Sequence, residues 1–153
     1  MEEIKSKIAV IQERGRRLSK FAGLSYEAYL KDFITKDAVE RNIEVAIQAC
    51  IDIAKIIIKR ERFREPEDNK GIFVVLAENG IISEKSLKFL IPMAGTRNIL
   101  IHGYDKIDDS IVFGIFKKHL PDFISYIKDI DKNYIEKKSS RKREKRQSGA
   151  DER

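Results

Sequence analysis

Residues 37–58, which read DAVERNIEVAIQACIDIAKIII, carry the strongest structural pattern of the chain. Their apolar side chains recur at intervals of three and four residues, which is the period of an α-helix and not of a β-strand. We expect this helix to begin at about Asp37, with Thr35 as its N-cap. The apolar stripe is so wide that the helix must contact other helices on more than one side. Its members are Val39, Ile43, Ala46, Ile47, Cys50, Ile51, Ala54, Ile57 and Ile58.

The sequence on both sides of this stretch also has a helical period. It contains neither a sustained apolar and polar alternation nor an Asn-Gly or Asp-Gly hairpin signal. The charged, proline-containing segment 60–69 is expected to be the main exposed loop. We therefore predict an all-α fold, an antiparallel bundle of about five to six helices. Further helices are expected at about 3–21 with Ile4, Ile8, Ile11 and Leu18 buried, at 26–33 with Ser25 as a cap, at 71–78, from Ser83 into the segment 93–104, and from Asp108 onward with a break or kink at Pro121.

Length and composition limit what the chain can be. A chain of 153 residues with a hydrophobic content of 42% can form one domain with its own core, but it is too short for two ordinary domains. We therefore expect one functional site, or one half of a shared site. The longest apolar runs fall far short of the roughly 20 residues that span a bilayer. The N-terminus lacks a secretory pattern, and Cys50 is the only cysteine. These features predict a cytoplasmic protein that does not enter the membrane.

The formal net charge of +6 is concentrated at the C-terminus. Residues 137–153 contain eight Lys or Arg side chains against three acids, whereas the preceding residues are almost neutral in total. Large apolar residues vanish after Ile135. We therefore predict a helical domain over 1–136 and a basic tail over 137–153 that is either disordered or a frayed extension of the last helix. A charge run of this kind is usually a solvated surface.

One short segment combines several reactive side chains. Arg97, Asn98, His102 and Tyr104 bring a cation, an amide, an imidazole and a phenol together within eight residues, and His102 is one of only two histidines. On a helix, Asn98 lies one turn from His102 and could orient its ring, whereas Arg97 is about 140° away around the axis. Two copies facing each other across a symmetry axis would overcome that offset. The alternative is an ordinary helix end, with Arg97 paired to an acid, His102 buried or capping, and Gly103 as the C′ residue.

The run RNILIHGY at 97–104 resembles the R-x-x-x-x-H-x-Y signature of the HEPN superfamily, and specifically of the HepT-like toxins that are encoded beside a minimal nucleotidyltransferase (MNT) antitoxin. Residues 38–54 are similar to the long second segment of that family, and residues 89–95 and 104–108 flank the motif as the family's sequences do. The resemblance covers about 1–130. It departs from the family pattern at Gly103, where many relatives carry Asp, and this change removes no reacting group.

The resemblance implies a HEPN-type bundle that acts as a homodimer and cleaves RNA without a metal or cofactor, as the toxin of a type VII toxin–antitoxin system. In that scheme His102 is the acid/base group, Arg97 holds the phosphate, and Asn98 positions His102. The expected products are a 2′,3′-cyclic phosphate and a 5′-hydroxyl. Tyr104 would accept AMP from the partner nucleotidyltransferase, and the added bulk and negative charge would block the RNA cleft.

Other interpretations of the same features stay open. The chain could be a non-catalytic helical partner of the nucleotidyltransferase, with the motif as its docking and modification site, or an adaptor whose only activity is nucleic-acid binding by the tail. Arg41 and Asn42 match the family segment but could equally form an interhelical polar contact, and His119 is interpreted as a helix-boundary residue. Five tail cations are candidates for salt-sensitive RNA binding: Lys137, Lys138, Arg141, Lys142 and Arg143.

Overall fold

The long apolar stripe forms the centre of the protein in the computed structural model, which describes the backbone of residues 1–102 and 108–151 and the side chains of 1–97 and 108–148. Helix α3 spans Phe33–Glu61, and all nine predicted stripe residues are buried, with Ile53 and Ala49 buried beside them. One of the nine is Cys50, and burial raises the pKa of its thiol. Buried side chains on most of its circumference make α3 the central helix.

The predicted start of α3 was wrong by four residues. Asp32 is the N-cap, because its Oδ1 accepts hydrogen bonds from the backbone N–H groups of Ile34 and Thr35 at 3.1 and 3.3 Å. Thr35 lies inside the first turn, where its hydroxyl donates to Asp32 Oδ2. Phe33 and Ile34 are 72% and 69% exposed. Since these two side chains do not belong to the buried stripe, the apolar pattern could not reveal the first turn.

The described residues form an all-α bundle without a β-strand, as predicted. If the continuous helical segment from Leu120 to Asp151 is counted as one helix, the described residues contain seven helices, one more than the upper end of the predicted number. None of the described helices combines the length and the apolar character needed to cross a membrane. Besides α3, the elements are α1 Glu2–Ser19, α2 Tyr26–Lys31, α4 Asn69–Glu78, α5 Glu84–His102, α6 Asp109–Lys118, α7 Leu120–Ile130, a π-helical turn at Asp131–Ile135, and α8 Glu136–Asp151.

Helices α1 and α3 pack against each other in antiparallel orientation. Polar pairs across their interface join Glu3 to Arg60, Lys7 to Asp52, and Arg14 to Asn42, so the α3 partner moves back along the chain as α1 advances. The apolar face predicted for α1 is buried. The pairing places Lys7 and Arg14 of α1 beside Arg41 and Asp52 of α3, and these side chains line the candidate site.

Helix α5 is fixed at its N-terminus by a hydrogen-bond cluster. Asp129 Oδ2 accepts from the Ser83 backbone N–H at 3.0 Å, from the Ser83 hydroxyl at 2.9 Å, and from the Ser86 hydroxyl at 2.6 Å. The Ser83 hydroxyl oxygen also accepts from the Ser86 backbone N–H, which is the first-turn contact of an N-cap. Pro92 lies inside α5. The cluster ties the helix that carries Arg97 to α7.

The C-terminal segment differs from the disordered alternative. The chain continues from α7 through the π turn into α8 as one helical rod. Residues 131–147 contain no Gly or Pro, and the Lys, Arg and Glu that dominate them are good helix formers. The base of the rod is attached to α3, because Glu61 Oε1 lies 2.9 Å from the Tyr134 hydroxyl and 2.5 Å from Lys138 Nζ. This attachment links residues that are 73 or more positions apart.

Candidate functional site

Arg97 is the residue of the 97–104 motif whose side chain the structure describes, and it lies at a groove between α1, α3 and α5. The groove has a volume of about 330 Å³. Arg97 is half-buried, and its Nε is buried without a hydrogen-bond partner among the described residues. A buried donor without a partner costs free energy, so Arg97 is held here at a cost that an anionic ligand could offset.

The walls of the groove carry three more cations. Lys7 Nζ lies 3.1 Å from Asp52 Oδ2, and Arg41 Nη1 lies 3.1 Å from Glu44 Oε1, so these two cations are compensated by carboxylates. Arg14, the third, forms no ion pair within the part of the chain that the structure describes. Among the described residues, no carboxylate pairs with the two remaining guanidinium groups of the groove, those of Arg14 and Arg97.

Asn42 forms the interhelical polar contact that was one of the two interpretations of Arg41 and Asn42. Its Oδ1 accepts from Arg14 Nη1 at 3.2 Å, which is an interhelical polar contact, while Arg41 pairs within its own helix. Its Nδ2 donates to the Ala38 carbonyl at 2.7 Å. Asn42 is only 7% exposed. Both ends of the amide are thus engaged, and Arg14 is oriented by a buried group.

Gln48 contributes an unpaired acceptor to the same groove. Its Nε2 donates to Asp52 Oδ1 at 2.7 Å, and that contact fixes the direction of the amide. Its Oε1 is buried and accepts no hydrogen bond from the described residues. Gln48, Arg14 and Lys7 were not predicted from the sequence. A heptad spacing was the available signal, since Lys7 and Arg14, like Arg41 and Gln48, are seven residues apart and so share a helix face.

The remaining motif residues lie largely outside the described part. The α5 backbone continues through positions 98 and 102, so Asn98 and His102 share a helix with Arg97, but their side chains are outside the described residues. Tyr104 lies outside them altogether. The chain is described again from Asp108, which caps α6 by accepting from the Ser110 hydroxyl and backbone N–H, and these bonds lower the pKa of the Asp108 carboxyl. The roles of Asn98, His102 and Tyr104 therefore stay predictions.

His119 lies at the boundary between α6 and α7, as predicted, and away from the groove. Its Nδ1 is 2.8 Å from Asp122 Oδ2, and its ring packs on Phe89 with the centroids 5.6 Å apart. Both contacts lie within the bundle. His119 serves below as a matched control for His102.

The predicted tail cations do not form one equivalent set. Lys138 is held against α3 by Glu61, and its Nζ lies 5.7 Å from the centre of the Tyr134 ring. Lys138 and Tyr134 together keep the pKa of the Glu61 carboxyl below its ordinary value. The other four candidates, Lys137, Arg141, Lys142 and Arg143, are exposed on α8. Of the five candidates, these four lack the ion pair with Glu61 that holds Lys138.

A family of known proteins matches most of this chain. The family described as ribonuclease HepT-like matches residues 11–130. A protein named mRNA nuclease HepT from Shewanella oneidensis is 32% identical over 122 residues, which are 80% of this chain and 91% of that protein. A protein named tRNA nuclease HepT from Aphanizomenon flos-aquae is 29% identical over 132 residues, with coverage of 86% and 90%. A solved structure described as the tri-AMPylated Shewanella oneidensis HEPN toxin in complex with MNT antitoxin has a TM-score of 0.78 and 31% identity, covering 86% of this chain and 98% of that one.

Proposed function

Because this chain belongs to the HepT-like ribonuclease family, we propose that it is a metal-independent endoribonuclease and the toxin of a HEPN/MNT toxin–antitoxin pair. The observation that carries the proposal is the buried Arg97 Nε, which lacks a partner among the described residues and borders a groove with a second uncompensated guanidinium. Phosphodiester groups of an RNA chain would accept from Arg97 Nε and would balance the charge of the second guanidinium, that of Arg14. The relatives' names, an mRNA nuclease and a tRNA nuclease, support RNA as the substrate class.

The proposed reaction uses the RNA's own 2′-hydroxyl as the nucleophile. A base takes the proton of this hydroxyl, the 2′-oxygen forms a bond to phosphorus, and the bond from phosphorus to the 5′-oxygen breaks. An acid gives the leaving 5′-oxygen its proton. The products are a 2′,3′-cyclic phosphate and a 5′-hydroxyl. His102 is assigned the proton transfers, Arg97 the charge on the phosphate oxygens, and Asn98 the orientation of His102.

The active unit is proposed to be a homodimer. The reaction needs a base and an acid at once, and the motif supplies one histidine per chain. Positions 97 and 102 of one helix are also about 140° apart, which separates their side chains on a single copy. A two-fold axis beside the motif would bring two copies of each residue to one cleft. Sedimentation analysis should give about twice the chain mass of 17.7 kDa for the active species. A monomer that cleaves RNA at the full rate would overturn this part of the proposal.

Cleavage is tested with RNA in the presence of EDTA. Wild type, His102→Ala and Arg97→Ala are compared with His119→Ala, which removes the other histidine. Loss of the acid/base group is expected to slow cleavage about 10²–10⁴-fold, and Arg97→Ala should also slow it strongly, while His119→Ala stays within a few fold of wild type. Equal cleavage by all four proteins would trace the activity to a contaminant. Absence of cleavage by wild type, together with tight binding of the antitoxin, would favour the non-catalytic partner.

Regulation is proposed to act through Tyr104. The antitoxin would transfer AMP from ATP, so that a bond forms between the Tyr104 oxygen and the α-phosphorus and pyrophosphate leaves. The solved relative described as a tri-AMPylated HEPN toxin supports this chemistry. Incubation with the antitoxin and ATP should add one or more AMP units to the intact mass and lower cleavage. Tyr104→Phe should stop both effects, whereas Tyr26→Phe, at a tyrosine that is 40% exposed, should not. Mass added elsewhere with activity unchanged would reject the mechanism.

A further inference from the structure

We propose that Arg14, oriented by Asn42, binds an RNA backbone phosphate next to the one assigned to Arg97. This inference rests on the proposed function for the identity of the ligand. It adds a phosphate subsite built by α1 and α3, neither of which contains the sequence motif. The ligand class is a single-stranded polyribonucleotide, recognised through its phosphodiester charges.

Arg14 differs from the other arginines of its own helix. Arg16 and Arg17 lie within one turn of it, and both donate to the Glu13 carboxylate. The Arg16 Nε and Nη2 atoms lie 3.0 and 2.5 Å from Glu13 Oε2, and Arg17 Nε lies 3.1 Å from Glu13 Oε1. The Arg14 guanidinium donates to a neutral amide instead. An ion pair would use its hydrogen-bonding capacity and neutralise its charge, whereas the Asn42 contact fixes its position and leaves the charge available.

Asn42 is buried where an apolar residue would be expected. It is 7% exposed and lies next to the buried Ile43. Burying an amide is unfavourable unless its groups are hydrogen-bonded, and here Nδ2 is bonded by the Ala38 carbonyl and Oδ1 by Arg14. An arginine has five N–H donors in a planar fork, so the contact through Nη1 leaves further donors for a phosphate. Asn42 is therefore a positioning residue for Arg14.

The groove shared by Arg14 and Arg97 has the electrostatics of an anion site. Its lining contains four cations and two carboxylates, and both carboxylates are paired with Lys7 and Arg41. One donor on its wall, Arg97 Nε, is buried without a partner in the described part of the protein. Two adjacent backbone phosphates, one at each guanidinium, would balance the positive charge that the groove residues leave uncompensated.

The test measures binding to a short single-stranded RNA that is 2′-O-methylated throughout, so that it cannot be cleaved, by fluorescence anisotropy over a range of salt concentrations. Arg14→Gln removes the charge and keeps most of the side-chain length. Arg17→Gln makes the same charge change on the same helix at an arginine paired with Glu13. We expect Arg14→Gln to weaken binding about tenfold and to reduce the slope of log affinity against log salt by about 0.7, the value for one lost phosphate contact on a single strand. Arg17→Gln should stay within about twofold of wild type.

Asn42→Ala tests the positioning role, because it retains the Arg14 charge but removes its support. We expect weaker binding with little change in the salt slope, in a variant whose helical circular dichroism matches wild type. If this variant does not fold, Asn42→Ser, which keeps a hydroxyl acceptor, replaces it. In cleavage assays Arg14→Gln should raise KM with kcat within a few fold of wild type, as expected when a residue binds substrate and transition state equally.

The results separate this inference from the proposed function. If wild type cleaves RNA and Arg14→Gln matches Arg17→Gln in affinity and KM, the subsite is wrong and the nuclease stands. If wild type does not cleave but Arg14→Gln still loses affinity and salt slope, the subsite stands and the nuclease fails. Loss of antitoxin binding with unchanged RNA affinity would overturn the subsite and assign Arg14 to the protein partner.

Discussion

Replacing Asp129 by alanine should destabilise the protein through the end of α5 that lies farthest from the motif. The carboxylate accepts three hydrogen bonds, two from Ser83 and one from Ser86. Ser83 is exposed, so water can replace its lost bonds. Ser86 is only 2% exposed, and its hydroxyl would lose a charged acceptor at 2.6 Å and keep only the longer contact of 3.2 Å with the Ser83 hydroxyl.

The size of the effect follows from these three bonds. A hydrogen bond to a charged group contributes about 1.5–3 kcal/mol, and weakening of a helix N-cap costs about 1 kcal/mol. We therefore expect the free energy of unfolding to fall by about 2–3 kcal/mol. For a chain of this size, this corresponds to a fall in Tm of about 4–12 °C. Asp129→Asn keeps one acceptor oxygen and should cost about 1 kcal/mol.

The assay is urea denaturation followed by helical circular dichroism, with Asp131→Ala as the control. Asp131 is an exposed carboxylate two residues further along the chain, and its loss should change stability by less than about 0.5 kcal/mol. Ser83 and Arg97 are about 20 Å apart along α5 at 1.5 Å per residue. RNA cleavage measured well below the Tm should therefore be unchanged. An Asp129→Ala variant as stable as wild type, or an Asn variant as unstable as the Ala variant, would refute the reasoning.

Three further predictions concern the C-terminal ends of α3 and of the chain. Arg62 has a φ of 55° in the left-handed region, so Arg62→Gly should raise the free energy of unfolding by about 0.5–1 kcal/mol in urea titrations, and no gain would contradict it. The pKa of Glu61 is lowered from 4.5 by Lys138, so this carboxylate stabilises the fold above pH 4.5 and the benefit is lost as the pH falls further. Glu61→Gln should thus be less stable than wild type at pH 7 and approach it in acid, and a difference that persists in acid would refute the assignment. Removing residues 137–153 should preserve cleavage and weaken RNA binding, most strongly at low salt, whereas loss of all RNA interaction would favour the adaptor.

Helical spacing predicted those parts of the fold that depend on local apolar patterns. The buried faces of α1 and α3 followed from residues three and four apart, because such residues share a helix face whatever packs against it. The start of α3 did not follow, since its first turn exposes Phe33 and Ile34 and is set by the Asp32 cap. A cap is a local hydrogen bond, and Thr35 offered a plausible competing one.

Contacts between distant segments limited the prediction of the site and of the tail. The motif drew attention to Arg97, but the groove around it is completed by Arg14 and Asn42, which meet because α1 and α3 are antiparallel. Their pairing spans 28 residues, and neither side chain indicates it alone. The helical tail depends in the same way on Glu61, whose contact with Lys138 no local pattern reveals.

The two basic regions of the protein, the exposed cations on α8 and the groove with Arg14 and Arg97, are expected to contribute differently to RNA binding. Exposed cations on α8 act through solvent, where interactions beyond about 8–10 Å are screened at physiological salt. Arg97 is half-buried, and Arg14 is oriented by a buried amide, so the adjacent phosphates that they are proposed to bind would be screened less. Raising the salt concentration should therefore remove the contribution of the tail before that of the groove. For the same reason the net charge of +6, most of which belongs to residues 137–153, bears on how tightly the proposed nuclease would hold RNA at low salt and not on where it would cut.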